Sequence, residues 1–218
     1  MRRWASFYQR VFICGFFSFV LSGCVSAGSS PDPRFYMLKH AGGEEAAQKF
    51  NIPADTITLV GPVDIPQYLD RPQIVTQDDK GMVNIAQFDR WGESLDAGIM
   101  RLIIEDLHLM LPGATFETFP CNYAIPLNYQ IIVEIQQLRG NLKGDLLLVA
   151  QWSIINANTQ KMLFTKRSEL SRQVSPNNYS GLADALSKSV SSLSGEIAQN
   201  LSILANQIKK QATSQEKK

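Results

Sequence analysis

The sequence predicts an α+β fold: an antiparallel β-sheet with two amphipathic helices packed on one face, a two-layer sandwich. Three observations lead there. Residues 129–170 read as a β-meander of three strand-like runs separated by short turns. Two longer stretches, 90–110 and 179–209, repeat apolar residues at helical spacing instead. The 218 residues, 44% hydrophobic and 19% charged, supply enough apolar material for one core.

The first elements are short. Arg34–Leu38 is aromatic and extended, and residues 39–55 read as a loop with room for a short helix around EEAAQKF. Thr56–Val63 is a β-branched run closed by Gly-Pro, the composition of a strand. Gln73–Thr76 and Met82–Ala86 flank the turn string QDDKG and predict a hairpin.

The spacing predicts a first helix over Arg90–Met110. Trp91, Leu95, Ile99, Leu102, Ile103, Leu107 and Met110 share one face. Asp89 is placed to cap it, and Glu93 complements the positive end of its dipole. Leu111-Pro112-Gly113 ends it, because proline cannot continue the hydrogen-bond ladder. Thr115–Phe119 then alternates, Tyr129–Leu138 carries Ile131, Val133 and Ile135 on one side, Asp145–Ile155 runs back, and Lys161–Leu170 is a third strand. Turns at 139–144 and 156–160 make the last three antiparallel neighbours. The second helix, from Tyr179 to Lys209, carries a stripe of Leu182, Leu186, Val190, Leu193, Ile197, Leu201, Leu204 and Ile208. Its other side bears Ser187, Ser191, Ser194 and Asn200.

Composition also excludes function classes. A net charge of +1 offers no basic field, so nucleic acid is not an expected partner. Three cysteines and two histidines, His40 and His108, are too few for a disulfide framework or the usual zinc sites. The sequence after residue 23 contains no GxSxG, HExxH, CxxC or P-loop string. No catalytic residue, metal ligand or cofactor site is therefore assigned, and the expectation is that the protein is not an enzyme.

The amino terminus points to an address. Three arginines and no acid precede the uncharged run VFICGFFSFVL at 11–21, the order of an export signal. Eleven residues fall short of the roughly 18–20 a membrane-spanning helix needs. The run ends in LSGC followed by VSAGSS, which resembles a bacterial lipoprotein signal. That resemblance implies cleavage after residue 23 and lipidation of Cys24, with residues 24–33 as a flexible tether. Each buried CH₂ contributes about 0.8 kcal/mol, so several acyl chains on one residue hold a protein at a bilayer. Val25, standing where an Asp signals inner-membrane retention, implies the outer membrane. Cleavage leaves 18 bases against 20 acids, and Cys121 as the one cysteine besides the lipidated Cys24. The folded domain is expected over 34–208, with a disordered tail at 209–218.

Two strings go beyond patterning: GPVDIPQYLDRPQIV at 61–75 and DRWGESL at 89–95. With the lipoprotein cysteine and LSGEIAQNL at 193–201, the chain resembles the PqiC-type family of auxiliary lipoproteins in ABC-type and MCE-type intermembrane transport systems. Gly92 and Ser94 depart from the Ala and Pro more usual there. The resemblance implies an outer-membrane lipoprotein facing the periplasm and docking with a periplasm-spanning MCE protein so that lipid can pass between membranes. It also implies a homo-oligomeric ring.

Pro66 and Pro72 make IPQYLDRP a shaped connector. Two roles fit it. Asp70 and Arg71 satisfy each other or nearby backbone and fix the connector, or Tyr68, Leu69, Asp70, Arg71 and Pro72 form a docking edge. Arg90, Trp91 and Glu93 join the candidate interface on the same grounds, with Trp91 and Trp152 equally suited to the core. Two rival functions remain open at this point: a carrier that itself holds a lipid, and an assembly lipoprotein for an outer-membrane barrel.

Overall fold

A computed structural model describes residues 31–40, 48–78, 80–121 and 124–216. The signal, Cys24 and most of the tether lie outside the described residues, as do residues 41–47 of the suggested short helix. Residues 1–32 form one unit, of which Pro31 and Asp32 are described, both exposed; Pro33–Lys218 forms the other and holds every element below.

The alternating runs are strands. β1 (Arg34–Tyr36), β2 (Ile57–Asp64), β3 (Gln73–Gln77) and β4 (Val83–Trp91) precede helix α1 (Leu95–Met110). Then come β5 (Thr115–Thr118), β6 (Tyr129–Gly140), β7 (Asp145–Asn156), β8 (Met162–Gln173) and helix α2 (Tyr179–Glu216). One sheet has the order β5-β2-β6-β7-β8, and a smaller one the order β1-β4-β3. The inward row of β6 meets that of β7: Ile131 faces Ile154, Val133 faces Trp152, Ile135 faces Ala150. All six are buried, as a sheet with one covered face requires.

The α+β class and its two helices are as the sequence predicts, and β6, β7 and β8 pair antiparallel. The sheets differ from an all-antiparallel one: β5 and β6 both run parallel to β2, and β1 parallel to β4. The excursion through the small sheet and α1 separates β2 from β5, and a crossover of that length returns the chain in the same direction.

Both helices pack on the larger sheet and on each other, α1 against β2 and β5, α2 against β7 and β8. Between Gly181 and Ala198, α2 is enclosed on nearly every side, with Lys188 the exposed residue. Its serine side is therefore interior, not a solvent face. The small side chains permit close packing, and the Ser187, Ser189 and Ser194 hydroxyls donate to carbonyls one turn back at 2.8–3.0 Å.

Two boundaries move. Helix α1 begins at Leu95, with Ser94 as its N-cap, because Asp89, Arg90 and Trp91 are taken into β4. Asp89 is no cap: it is buried and accepts hydrogen bonds from Arg34 and Tyr36 on β1. The tail expected to be disordered from Lys209 continues as helix to Glu216, since nothing in KKQATSQE breaks the ladder.

Candidate functional site

The site is built by the two family-like strings, and the first is shaped at its start. The register of β2 against β6 shifts between Val60 and Val63, so Gly61-Pro62 forms a bulge. Gly61 has φ 114°, and a Cβ there would sit 2.8 Å from Met100 Sδ and from Phe119 Cβ. Beyond β2 the chain closes a 3₁₀ turn at Gln67–Leu69. Leu69 N–H donates to Pro66 O at 2.8 Å, Asp70 N–H to Gln67 O at 3.2 Å and Arg71 N–H to Leu69 O at 2.8 Å. Tyr68 Oη donates to Leu138 O at 3.1 Å, and Leu69 is buried, so the connector is tied to the core at two points.

The second string docks onto the first. Gln73 pairs with Arg90, and Trp91 N–H donates to Pro72 O at 2.7 Å. Gly92 N–H donates to Tyr36 O at 2.8 Å. Asp70, Arg71, Pro72, Trp91, Gly92, Glu93 and Ser94 thereby enclose one open cleft of about 340 Å³. Behind it, Leu69, Trp91, Leu95, Leu138, Leu182 and Leu186 close around a void of about 10 Å³, which has no room for a lipid chain.

Charge in the cleft is unevenly satisfied. Glu93 accepts from Arg101 Nη2 at 2.6 Å and Nε at 3.1 Å. Arg101 also donates to Glu105 at 2.8 Å and to Leu38 O at 2.7 Å. The hydrogen bond to Glu93 outweighs burial and raises the Arg101 pKa, so the guanidinium stays charged. Arg71 is different: its Nε is buried without a hydrogen-bond partner, and it forms no ion pair with Asp70 among the described residues. Arg90 Nε is likewise buried and unpartnered. The mutual satisfaction of Asp70 and Arg71 is thus not what the structure has.

Next to the cleft, Asp89 anchors the edge strand. Arg34 Nε and Nη2 each donate to its carboxylate at 2.8 Å, and Tyr36 Oη does so at 2.8 Å. Burial alone would raise the Asp89 pKa, but these hydrogen bonds and the guanidinium charge together hold it below its usual value.

Of the candidate interface residues, Asp70, Arg71, Pro72, Trp91 and Glu93 line the cleft. Tyr68 and Leu69 support it from behind, with Leu69 and Trp91 buried. Arg90 lies on β4, between Phe35 of β1 and Gln73 of β3, and is not part of the lining. The sequence analysis noted Gly92 and Ser94 only as departures from a motif, yet both line the cleft. A bare glycine between a tryptophan and an acidic residue was the available signal. A surface offering an indole wall, a proline, an unpaired guanidinium and carboxylates suits the grip of a protein segment. Cys121 is half-buried, and no helix among the described residues is long and apolar enough to cross a membrane.

Comparison with known proteins places the chain. Its fold matches a crystal structure titled as an uncharacterized protein, with a TM-score of 0.63, 17% identity, and coverage of 78% of this chain and 99% of that one. It also matches protein XCC0632 from Xanthomonas campestris, of family DUF330, with a TM-score of 0.66, 10% identity, and coverage of 81% and 99%. At such identities the likeness shows the fold alone. No curated protein matches the chain by sequence. Residues 36–198, which include every residue of the cleft, match the model of one family, and the chain belongs to it: the ABC-type transport auxiliary lipoprotein component family.

Proposed function

We propose that this protein is a lipid-anchored, non-enzymatic auxiliary component of an MCE/ABC-type intermembrane lipid transport system. Cys24 carries the lipid, the outer membrane holds it, and the domain faces the periplasm. The cleft between Asp70 and Ser94 grips a segment of a periplasm-spanning MCE protein, and copies of the domain assemble as a ring around that partner. The observation that carries this reading is convergence. Two strings that resemble the family, separated by 13 residues of chain (76–88), fold into one cleft whose Arg71 Nε is buried with no hydrogen-bond partner among the described residues.

Affinity capture from solubilised envelopes tests it. Wild-type chain is expected to bring down an MCE-family protein. Arg71→Glu should reduce that capture about tenfold, as truncation of a central charged contact does. It should barely change the melting temperature, because the Arg71 side chain makes no hydrogen bond among the described residues and its backbone N–H bond to Leu69 O is kept. Undiminished capture by the variant, or capture of an outer-membrane barrel instead, overturns the reading.

A further inference from the structure

We propose that the tip of the β3–β4 hairpin, through Met82, Val83 and Ile85, rests on the bilayer that holds the lipid anchor; this builds on the anchoring reading above. Met82 is 60% exposed, Val83 44% and Ile85 50%. Single exposed apolar side chains are ordinary. Three within four residues, at the end of a stiff turn, form a patch.

The turn is stiff because its polar groups bond to one another. Asp78 N–H donates to Met82 O at 3.1 Å, and Gly81 N–H to Asp78 O at 3.0 Å. The Asp78 carboxylate accepts from the N–H of Lys80 at 3.0 Å and of Met82 at 2.8 Å. Gln77 Nε2 donates to Gly81 O at 3.2 Å. Val83 and Ile85, two residues apart on β4 and paired with Gln77 and Val75, project to the same side.

Direction identifies the occupant. β1 runs parallel to β4, with Arg34 opposite Asp89 and Tyr36 opposite Trp91. The amino-terminal end of β1 therefore faces the start of β4, the end that carries Val83. Between Cys24 and the first strand lie ten residues (24–33), which reach at most about 33–36 Å when extended. A tether of that reach leaves the hairpin end of the small sheet free to meet the bilayer that carries the anchor. Asp78, Asp79 and Lys80 give the tip a net negative charge, so its affinity is for the apolar boundary of the bilayer and not for anionic headgroups.

The test uses the full, lipidated chain in a Cys121→Ser background, reconstituted into vesicles of phosphatidylethanolamine and phosphatidylglycerol containing a nitroxide-labelled lipid. An NBD fluorophore is placed at Ile85→Cys, at Met82→Cys, or at Thr159→Cys in the exposed β7–β8 turn. Flotation reports anchoring, and quenching reports depth. Side chains seated at the headgroup–acyl boundary should be quenched about threefold more at 82 and 85 than at 159, unchanged by added salt. Flotation without that difference overturns the hairpin contact and leaves the anchor standing. A chain that does not float with the vesicles overturns both.

Discussion

Gly61→Ala probes the bulge that launches the connector into the cleft. Two costs can be worked from the structure. A residue with a Cβ at φ 114° is strained by about 1–2 kcal/mol. The added Cβ would also lie 2.8 Å from Met100 Sδ, the flexible end of a side chain, and 2.8 Å from Phe119 Cβ, which moves only with its backbone. Overpacking of that kind costs about 1–3 kcal/mol more. The sum, about 2–5 kcal/mol, is a large part of an ordinary domain's stability. At about 2–4 °C per kcal/mol for a chain of this size, Tm should fall by about 4–20 °C. Gly113 supplies the control, because it has φ 100° and nothing within 4 Å of a built Cβ. Gly113→Ala should lose only the backbone share, about 1–2 kcal/mol. Urea and thermal unfolding of the two variants, followed by circular dichroism, separate the contributions. Equal losses would falsify the claim that packing of Met100 and Phe119 against the bulge fixes the connector.

Two further predictions rest on buried polar groups. Asp89 titrates below its ordinary value of 3.8, so its contribution is complete above that pH and disappears as pH falls through the lower folded value. Asp89→Asn should cost about 1–2 kcal/mol at neutral pH, discounted because Arg34 is exposed. The gap between variant and wild type should close as pH falls below 3.8 and through the lower folded value; a gap independent of pH refutes the assignment. Ser168 accepts from Trp152 Nε1 at 3.0 Å in the core and donates to Glu196, which also pairs with Lys166 at 3.0 Å. Ser168→Ala strands the indole N–H and should cost about 1–3 kcal/mol, read as a lower urea midpoint at unchanged slope. A midpoint equal to wild type would show that the indole finds another acceptor.

The legible parts of this protein are those where one local period has no rival. β6, β7 and β8 follow from runs of strand composition broken by turn strings, and α2 from a stripe sustained over eight apolar positions. Around Trp91 two periods compete. Trp91 stands four residues before Leu95, as in a helix, and two after Asp89, as in a strand. Partners more than fifteen residues away decide it: Arg34 and Tyr36 claim Asp89, and Pro72 O claims the Trp91 N–H. The serines of α2 could equally line solvent or a close interior contact, and only the packing of α1, β7 and β8 around them shows which.

Neighbours along the chain suffice for the element inventory, the two strings that mark the family, and the cysteine expected to carry lipid. The parallel pairing around β2, the burial of α2 on nearly every side, and the closure of 70–72 onto 91–94 into one cleft were decided by the tertiary structure. Each of these depends on hydrogen bonds and contacts between distant segments, whose energy no local window contains.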